Sequence, residues 1–319
     1  MRSNQQLIQK AADSVVSFGQ FGQLSPIKSD FFIDKMKEKT EFLKQIRTIK
    51  MGGPEVDIDR LSIGQRVLHR LGNGEALSPS KYAQVNTDQI VLLSKKVSAT
   101  IIVNEETVED SIEQNTNFSN DFMSSPGGIH SHILTQLADQ ASLDLVDFAL
   151  NGDTTIPEAT DDLLSLNDGY LKTASSHVLA AANAHISPNT LYNALRLMPA
   201  RGLNGVNLRY IMSPYTEDKL RMQLALRQTQ GGDAYLTSDG SVKILRGTTY
   251  AVPFMPDDQV LITETRNLIF GIQRAMRLEL IKDIDKGVYR IVAKMRVDCK
   301  VQDSDLMVKI TGLNTGVLT

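Results

Sequence analysis

The spacing of apolar residues changes period several times along this chain, and those changes divide it into elements. From 289 to 301 the period is two. Tyr289, Ile291, Ala293, Met295, Val297, Cys299 and Val301 fall on one face. Arg290, Lys294, Arg296, Asp298 and Lys300 fall on the other, with Val292 as the exception. This predicts a strand of about 40 Å, roughly twice the usual length. From 126 to 150 the period is helical, with Ile129, Ile133, Leu137, Ala141, Leu145 and Phe148 recurring on one side. Ser125 suits the N-cap, Pro126 the first helical position, and Asn151-Gly152 the stop. Such a helix would run about 37 Å.

Residues 55–104 predict a long β-excursion. Val56 and Ile58 alternate with Asp57 and Asp59, and Leu61 and Ile63 shift the phase by one, as at a bulge. The return leg spans 90–103 and ends in the apolar run Thr100-Ile101-Ile102-Val103, which reads as buried strand. Between the legs lie the turn residues Gly72-Asn73-Gly74 and Ser78-Pro79-Ser80. The insert is too polar for a core and too long for an ordinary hairpin loop, so it predicts a projecting two-stranded tongue.

Residues 1–54 read as an arm with little core of its own. Ser29 or Asp30 caps a helix through Ile46, with Phe32, Met36, Phe42, Leu43 and Ile46 near one side, and Gly52-Gly53-Pro54 stops it. After the tongue, Asn104 caps a short acidic helix over 105–113. Two more helices begin with a Ser-Pro pair: Ser187-Pro188 before Leu191, Leu195 and Met198, and Ser213-Pro214 before Leu220 and Leu224. A short strand over 208–212 separates them, which predicts an α/β subdomain. Gln230, Gly231, Gly232 and Asp233 form a loop, Asp239-Gly240 signals a hairpin, and Leu306, Val308 and Ile310 mark a last short strand.

Composition adds mainly exclusions. The 319 residues are 41% hydrophobic and 22% charged, enough apolar material for two domains or one with large excursions. A net charge of −3 lacks the basic excess of a dedicated nucleic-acid binder. The single cysteine, Cys299, permits no intramolecular disulfide and no Cys-based metal site. The first residues lack a signal peptide's apolar core, and no window reaches the roughly 18 apolar residues of a membrane span.

No P-loop, dinucleotide fingerprint, nucleophile elbow or HExxH motif occurs, so no cofactor is expected. His130 and His132 sit two apart on the long helix and point about 200° apart, so they cannot share a metal from one face. The pairs Asp57/Asp59, Asp161/Asp162, Asp257/Asp258, Asp283/Asp285 and Asp303/Asp305 read as turns or solvated strands rather than acid-base pairs. No nucleophile, base or metal site is expected, and an enzyme is kept as the alternative of a different class.

The order of arm, tongue, acidic helix, long helix, α/β subdomain and long terminal strand resembles the major capsid proteins of tailed bacteriophages with the Hong Kong 97-type fold. The stretch over 247–277 is the most specific. It holds Gly247-Thr248-Thr249-Tyr250-Ala251-Val252-Pro253, Met255-Pro256-Asp257, Val260-Leu261-Ile262 and Asn267-Leu268-Ile269-Phe270-Gly271. Asn151-Gly152-Asp153 after the long helix is also typical. The resemblance covers nearly the whole chain, through architecture more than motif.

It implies an α+β fold with an N-arm (1–54) and an extended β-hairpin E-loop (55–104). A peripheral domain (105–184 and 276–319) would carry the spine helix (126–150), and an axial domain would span 185–275. The expected assembly surface is Arg66, Val67, Leu68, Arg70, Leu71 and Lys81 on the tongue. Hinge candidates are Gly52, Gly53 and Gly64, and Gln230, Gly231, Gly232 and Asp233 would lie at the capsomer centre.

The resemblance further implies self-assembly into hexamers and pentamers of an icosahedral virion shell, built in the host bacterial cytoplasm around double-stranded DNA. The arm is too short for the fused scaffolding segment of some members. A separate scaffolding protein and a portal are therefore implied as partners, a decoration protein is optional, and no membrane is involved. Some members form a Lys–Asn isopeptide bond; Lys81 lies near the tongue tip, but no Asn and activating Glu are paired with it. An encapsulin-like nanocompartment shell is the runner-up within the same fold.

Overall fold

A computed structural model describes residues 41–63, 66–70, 78–104, 129–204, 207–225, 242–273, 277–283 and 286–316. The arm up to residue 40, the acidic helix over 105–113, the Asp239-Gly240 hairpin and the start of the long helix lie outside these residues.

Two sheets and one long helix build the core. The long strand β12 (Val288–Val301) is the axis of a five-stranded sheet. It pairs antiparallel with β4 (Lys95–Asn104), with β11 (Arg277–Asp283) and, over its last residues, with β10 (Leu268–Gln273). The predicted alternation is observed: Ile291, Ala293, Met295, Val297 and Cys299 are buried, while Arg290 and Lys294 are exposed. The long helix α2 (Ile129–Asn151) lies against the apolar face, burying Leu137, Leu145 and Phe148, together with Ala138, Val146, Ala149 and Leu150.

The second sheet has six strands. Its order is β5 (Val178–Ala180), β13 (Met307–Thr311), β9 (Val260–Glu264), β6 (Leu208–Met212), β8 (Gly247–Ala251) and β7 (Lys243–Ile244). Helices α4 (Pro188–Leu195) and α5 (Pro214–Ala225) pack on it through Leu191, Leu195, Leu220 and Leu224. The Ser-Pro starts behave as read: Ser187 Oγ accepts the Thr190 N–H at 3.2 Å, and Ser213 Oγ accepts that of Tyr215 at 3.2 Å.

Four local readings differ. The described end of the arm's helix, α1 (Glu41–Gln45), is followed by an unanticipated strand, β1 (Arg47–Met51), parallel to β10. Phe42, Leu43 and Ile46 are buried with α2, and Phe42 stacks on Tyr250 at 6.3 Å between ring centres. A parallel partner more than two hundred residues away leaves no local periodicity to read. The tongue strands β2 (Glu55–Ile63) and β3 (Val85–Leu93) keep an unbroken register from Glu55↔Leu93 to Ile63↔Val85, so no bulge occurs.

The return leg is also not one strand. It breaks at Ser94, whose N–H and hydroxyl both bond the Pro54 carbonyl, and β4 continues into the five-stranded sheet. There Ile102 is 58% exposed rather than buried, because β4 has only one covered face. Finally, Gly152 is not in the left-handed region that would make it a helix stop by conformation. It is needed for space: an added Cβ would lie 2.5 Å from the Asn167 carbonyl oxygen and 2.7 Å from that of Phe148.

Sheet membership crosses the sequence-based division. Residues 268–273 join the five-stranded sheet, whereas 178–180 and 307–311 join the six-stranded one.

Candidate assembly surface

The tongue has two chemically distinct faces. On the inward face Val56 and Ile58 pack over a small core of Met51, Leu92 and Ile269. Gly271 lies beneath it, where a Cβ would come within 2.9 Å of Met51 Sδ and 3.5 Å of Leu92 Cδ1. The Phe270-Gly271 pair therefore has a physical role: Phe270 fills the helix-side core, while Gly271 lets the tongue base sit close to the other face of the sheet.

Two polar contacts fix this base. The Leu93 N–H donates to Asp298 Oδ2 at 2.7 Å. Asp298 is only 1% exposed, and its other oxygen accepts from Asn167 Nδ2 and from the Cys299 N–H at 2.8 Å. Burial raises the Asp298 carboxyl above its usual range, opposed by the Leu93 N–H, the nearby Lys300 and the Cys299 N–H. Farther along, Arg60 Nη2 meets Asp303 Oδ2 at 2.7 Å, and Arg60 Nη1 donates to the Gln302 carbonyl at 3.3 Å. Asn267 holds that turn by donating to the Asp303 carbonyl and accepting the Asp303 N–H, at 2.8 and 2.7 Å. Arg60 and Asp303 thus join the tongue to the turn between β12 and β13.

Away from the base the tongue carries apolar side chains into solvent. Leu68 is 86% exposed, and Val67, Tyr82 and Val85 are each more than half exposed. Arg66 and Arg70 are exposed beside them, and Lys81 is exposed at the end of a short 3-10 turn, Pro79–Lys81. Leu71 and Gly64 lie outside the described residues, as do Gln230, Gly231, Gly232 and Asp233. Gly52 and Gly53 form the bend between β1 and β2. A Cβ on Gly52 would meet nothing within 4 Å, and one on Gly53 only the Glu55 carbonyl at 3.7 Å, so neither is held to glycine by crowding.

A second polar cluster closes the C-terminal end of α2. Lys172 Nζ, on the short helix α3 (Tyr170–Thr173), contacts Asp153 Oδ1 at 2.6 Å and Asp168 Oδ1 at 2.8 Å. The Lys172 bond, with those from Thr155, lowers Asp153 to about 2. At Asp168 burial raises the carboxyl, but bonds from Lys172 and Thr154 outweigh it and the net shift is downward. Burial pushes the Cys299 thiol up to about 12, which leaves it inert as a nucleophile near neutral pH.

Sequence reading missed Asp298, Arg60, Asp303 and Asn167. Each looks like an ordinary polar position in a strand or turn, and distant segments supply the partners: Leu93 on the tongue for Asp298, Asp303 for Arg60, and Asp298 with the Cys299 carbonyl for Asn167. The paired aspartates do local work where they are described. Asp161 Oδ1 accepts the Leu163 and Leu164 N–H groups, Asp257 accepts from Ser213 Oγ, and Asp303 Oδ1 accepts the Asp305 N–H. Among the described residues, no three His, Cys, Asp or Glu side chains converge on a metal-sized site.

A projecting tongue, a helix laid along a long-stranded sheet and a second sheet carrying two helices together define the Hong Kong 97-type capsid fold, of α+β class. The chain is 27% identical, over 96% of its own length and 98% of the other's, to the putative prophage capsid protein YqbE of Bacillus subtilis (strain 168). It superposes on a chain of the satellite phage P4 procapsid with its size determination protein at a TM-score of 0.65, 14% identity and 99% of both chains. The SrpI encapsulin complex of Synechococcus elongatus is also similar, at a TM-score of 0.53, 9% identity, and 88% and 89% coverage. No family model matches.

Proposed function

We propose that this chain is the major capsid protein of a tailed bacteriophage or prophage, assembling with copies of itself into the hexamers and pentamers of an icosahedral shell around double-stranded DNA. One observation carries the assembly reading. Val67, Leu68, Tyr82 and Val85 stand exposed on an arm whose base is bonded to the sheet. A monomer gains nothing from such an arm, and exposed apolar patches mark interaction surfaces. Several hundred Å² of apolar contact, at about 25 cal/mol per Å², would contribute several kcal/mol per interface before the costs of association. Repetition over a closed shell multiplies this.

In this reading residues 1–54 are the N-arm, 55–104 the E-loop, 105–184 and 276–319 the peripheral domain, and 185–275 the axial domain. Gln230, Gly231, Gly232 and Asp233 point to the capsomer centre. Arg66, Val67, Leu68, Arg70, Leu71 and Lys81 contact the neighbour. A separate scaffolding protein and a portal complete the assembly in the host cytoplasm, with a decoration protein optional. The subunit works through interfaces rather than catalysis.

The test is deletion of residues 71–80. The expected product is a folded subunit with a native circular-dichroism spectrum that builds no stable shells in negative-stain images. Normal shells would remove the tongue from the assembly mechanism. Particle contents separate the two shell readings: nuclease-protected double-stranded DNA marks a phage head, and a packaged enzyme marks an encapsulin-like compartment.

A further inference from the structure

The last residues of the long strand carry a group of side chains that assembly does not use. β4 ends its pairing with β12 at Lys95, opposite Val297. Beyond that point this edge of β12 has no strand beside it among the described residues, while β10 still pairs along the other edge. Asn167, in the segment between α2 and α3, covers the free edge. Its Nδ2 donates to the Cys299 carbonyl at 3.0 Å and to Asp298 Oδ1 at 2.5 Å. Lys300 Nζ donates to its Oδ1 at 3.5 Å. Asn167 and Asp298 are buried, and Lys300 is half-buried. The backbone behind Asn167 is fixed as well: the Gly169 N–H donates to the Gly152 carbonyl at 2.7 Å, and the Asp153 N–H to that of Leu164 at 2.8 Å.

An amine, a carboxamide and a buried carboxylate are thus in contact, each oriented by its bonds. The carboxamide nitrogen faces the carboxylate, and the carboxamide oxygen faces the amine. That is the orientation in which the amine can displace the nitrogen. Groups that one fold holds together react as though at very high concentration. Water is the competing nucleophile, and burial keeps it from the carboxamide. Burial also raises the Asp298 carboxyl, which makes its carboxylate a better proton acceptor than an exposed one.

We infer that Lys300 and Asn167 of one subunit join in an isopeptide bond, with Asp298 moving the proton. Lys300 first sheds its ammonium proton to solvent on its half-exposed side. The amine lone pair then attacks Asn167 Cγ, forming the new C–N bond and pushing a carbonyl pair onto Oδ1. Asp298 takes a proton from the attacking nitrogen and delivers it to Nδ2. The pair on Oδ1 re-forms the carbonyl, the Cγ–Nδ2 bond breaks, and its electrons leave with ammonia. One amine and one carboxamide give one secondary amide and one ammonia. Asp298 ends as it began, and no outside reactant is needed. The link lies within one chain and joins no two copies. It ties the segment after α2 to the free edge of β12, beside the Leu93 bond that holds the tongue base.

Intact-mass spectrometry of the denatured full-length protein tests it. The measured mass is expected to fall short of the sequence mass by one ammonia. Trypsin is expected to leave Lys300 uncut and to yield one peptide that joins the Asn167 segment to Lys300. Lys300→Arg keeps the positive charge but supplies no neutral amine, and Asp298→Asn keeps the shape but moves no proton. Each is expected to restore the full sequence mass. The full sequence mass in the parent, from free subunits and from assembled particles alike, would overturn the bond. So would a deficit that persists in Lys300→Arg, as a succinimide at Asn151-Gly152 would give. Where a variant does not fold, the parent's peptide map decides alone: a joined peptide supports the bond, and separate Asn167 and Lys300 peptides overturn it.

Discussion

Gly152 and Gly169 show how little freedom single positions have at the end of the long helix. The Gly169 N–H donates to the Gly152 carbonyl at 2.7 Å, and a Cβ on either residue would overlap backbone. Backbone cannot move aside as a side-chain tip can. Gly152→Ala is expected to destabilise the subunit by about 1–3 kcal/mol or more, read from the urea midpoint. Acid sensitivity belongs to the neighbouring carboxylates. Asp153 sits at about 2 in the folded chain against 3.8 unfolded, so the unfolded state binds more protons between those values. Its stabilisation is full above about pH 4 and is lost as pH falls toward about 2; Asp168, also lowered, acts in the same direction. Asp298 has the opposite sign. Its raised value makes the folded state the better proton binder, so its ionisation weakens the fold as pH rises out of the carboxylate range. Asp153→Asn is therefore expected to lose less stability than the parent between about pH 5 and about pH 3, by urea titration at both.

Among the elements, the tongue is the one whose position relative to the rest matters most. Its base is held by a small apolar core, the Leu93–Asp298 bond and the Arg60–Asp303 pair. Arg60 and Asp303 are both largely covered, and bonds from Asn267 hold the carboxylate's turn in place. Removing the arginine leaves that carboxylate short of its main partner. Arg60→Ala is expected to keep the two sheets intact while backbone amides along residues 55–63 and 85–93 exchange with solvent faster. Unchanged protection there would mean that the apolar base alone holds the tongue.

The whole molecule reads as a stiff body with a tethered appendage. α2 and β12 share one core, whereas the chain passes from β1 into the tongue through the bend at Gly52 and Gly53. Shell expansion by hinged motion needs such joints. In the conformation described here, Gly53 has room for a side chain. Gly53→Val is therefore expected to fold with an unchanged melting temperature but to trap particles at a smaller diameter in micrographs. Full-sized particles in normal yield would take Gly53 out of the hinge.

Elements with a local signal were legible from residue order alone. The thirteen-residue alternation ending at Val301 gave the long strand, the helical spacing from Leu137 to Phe148 gave the spine of the core, and Ser187 and Ser213 marked true helix starts. Side-chain period and capping chemistry act within a few residues, so they are legible without the fold. Features that depend on distant partners emerged only with the folded chain. β1 became a strand only because β10 offers it a parallel edge. The return leg split at Ser94 because two different sheets claim its halves. Asp298, which alternates with the apolar face and so reads as solvent-facing, is buried because the tongue lies on it. Long-range pairing sets burial on the second face of a strand, and no local pattern encodes which segment will cover it.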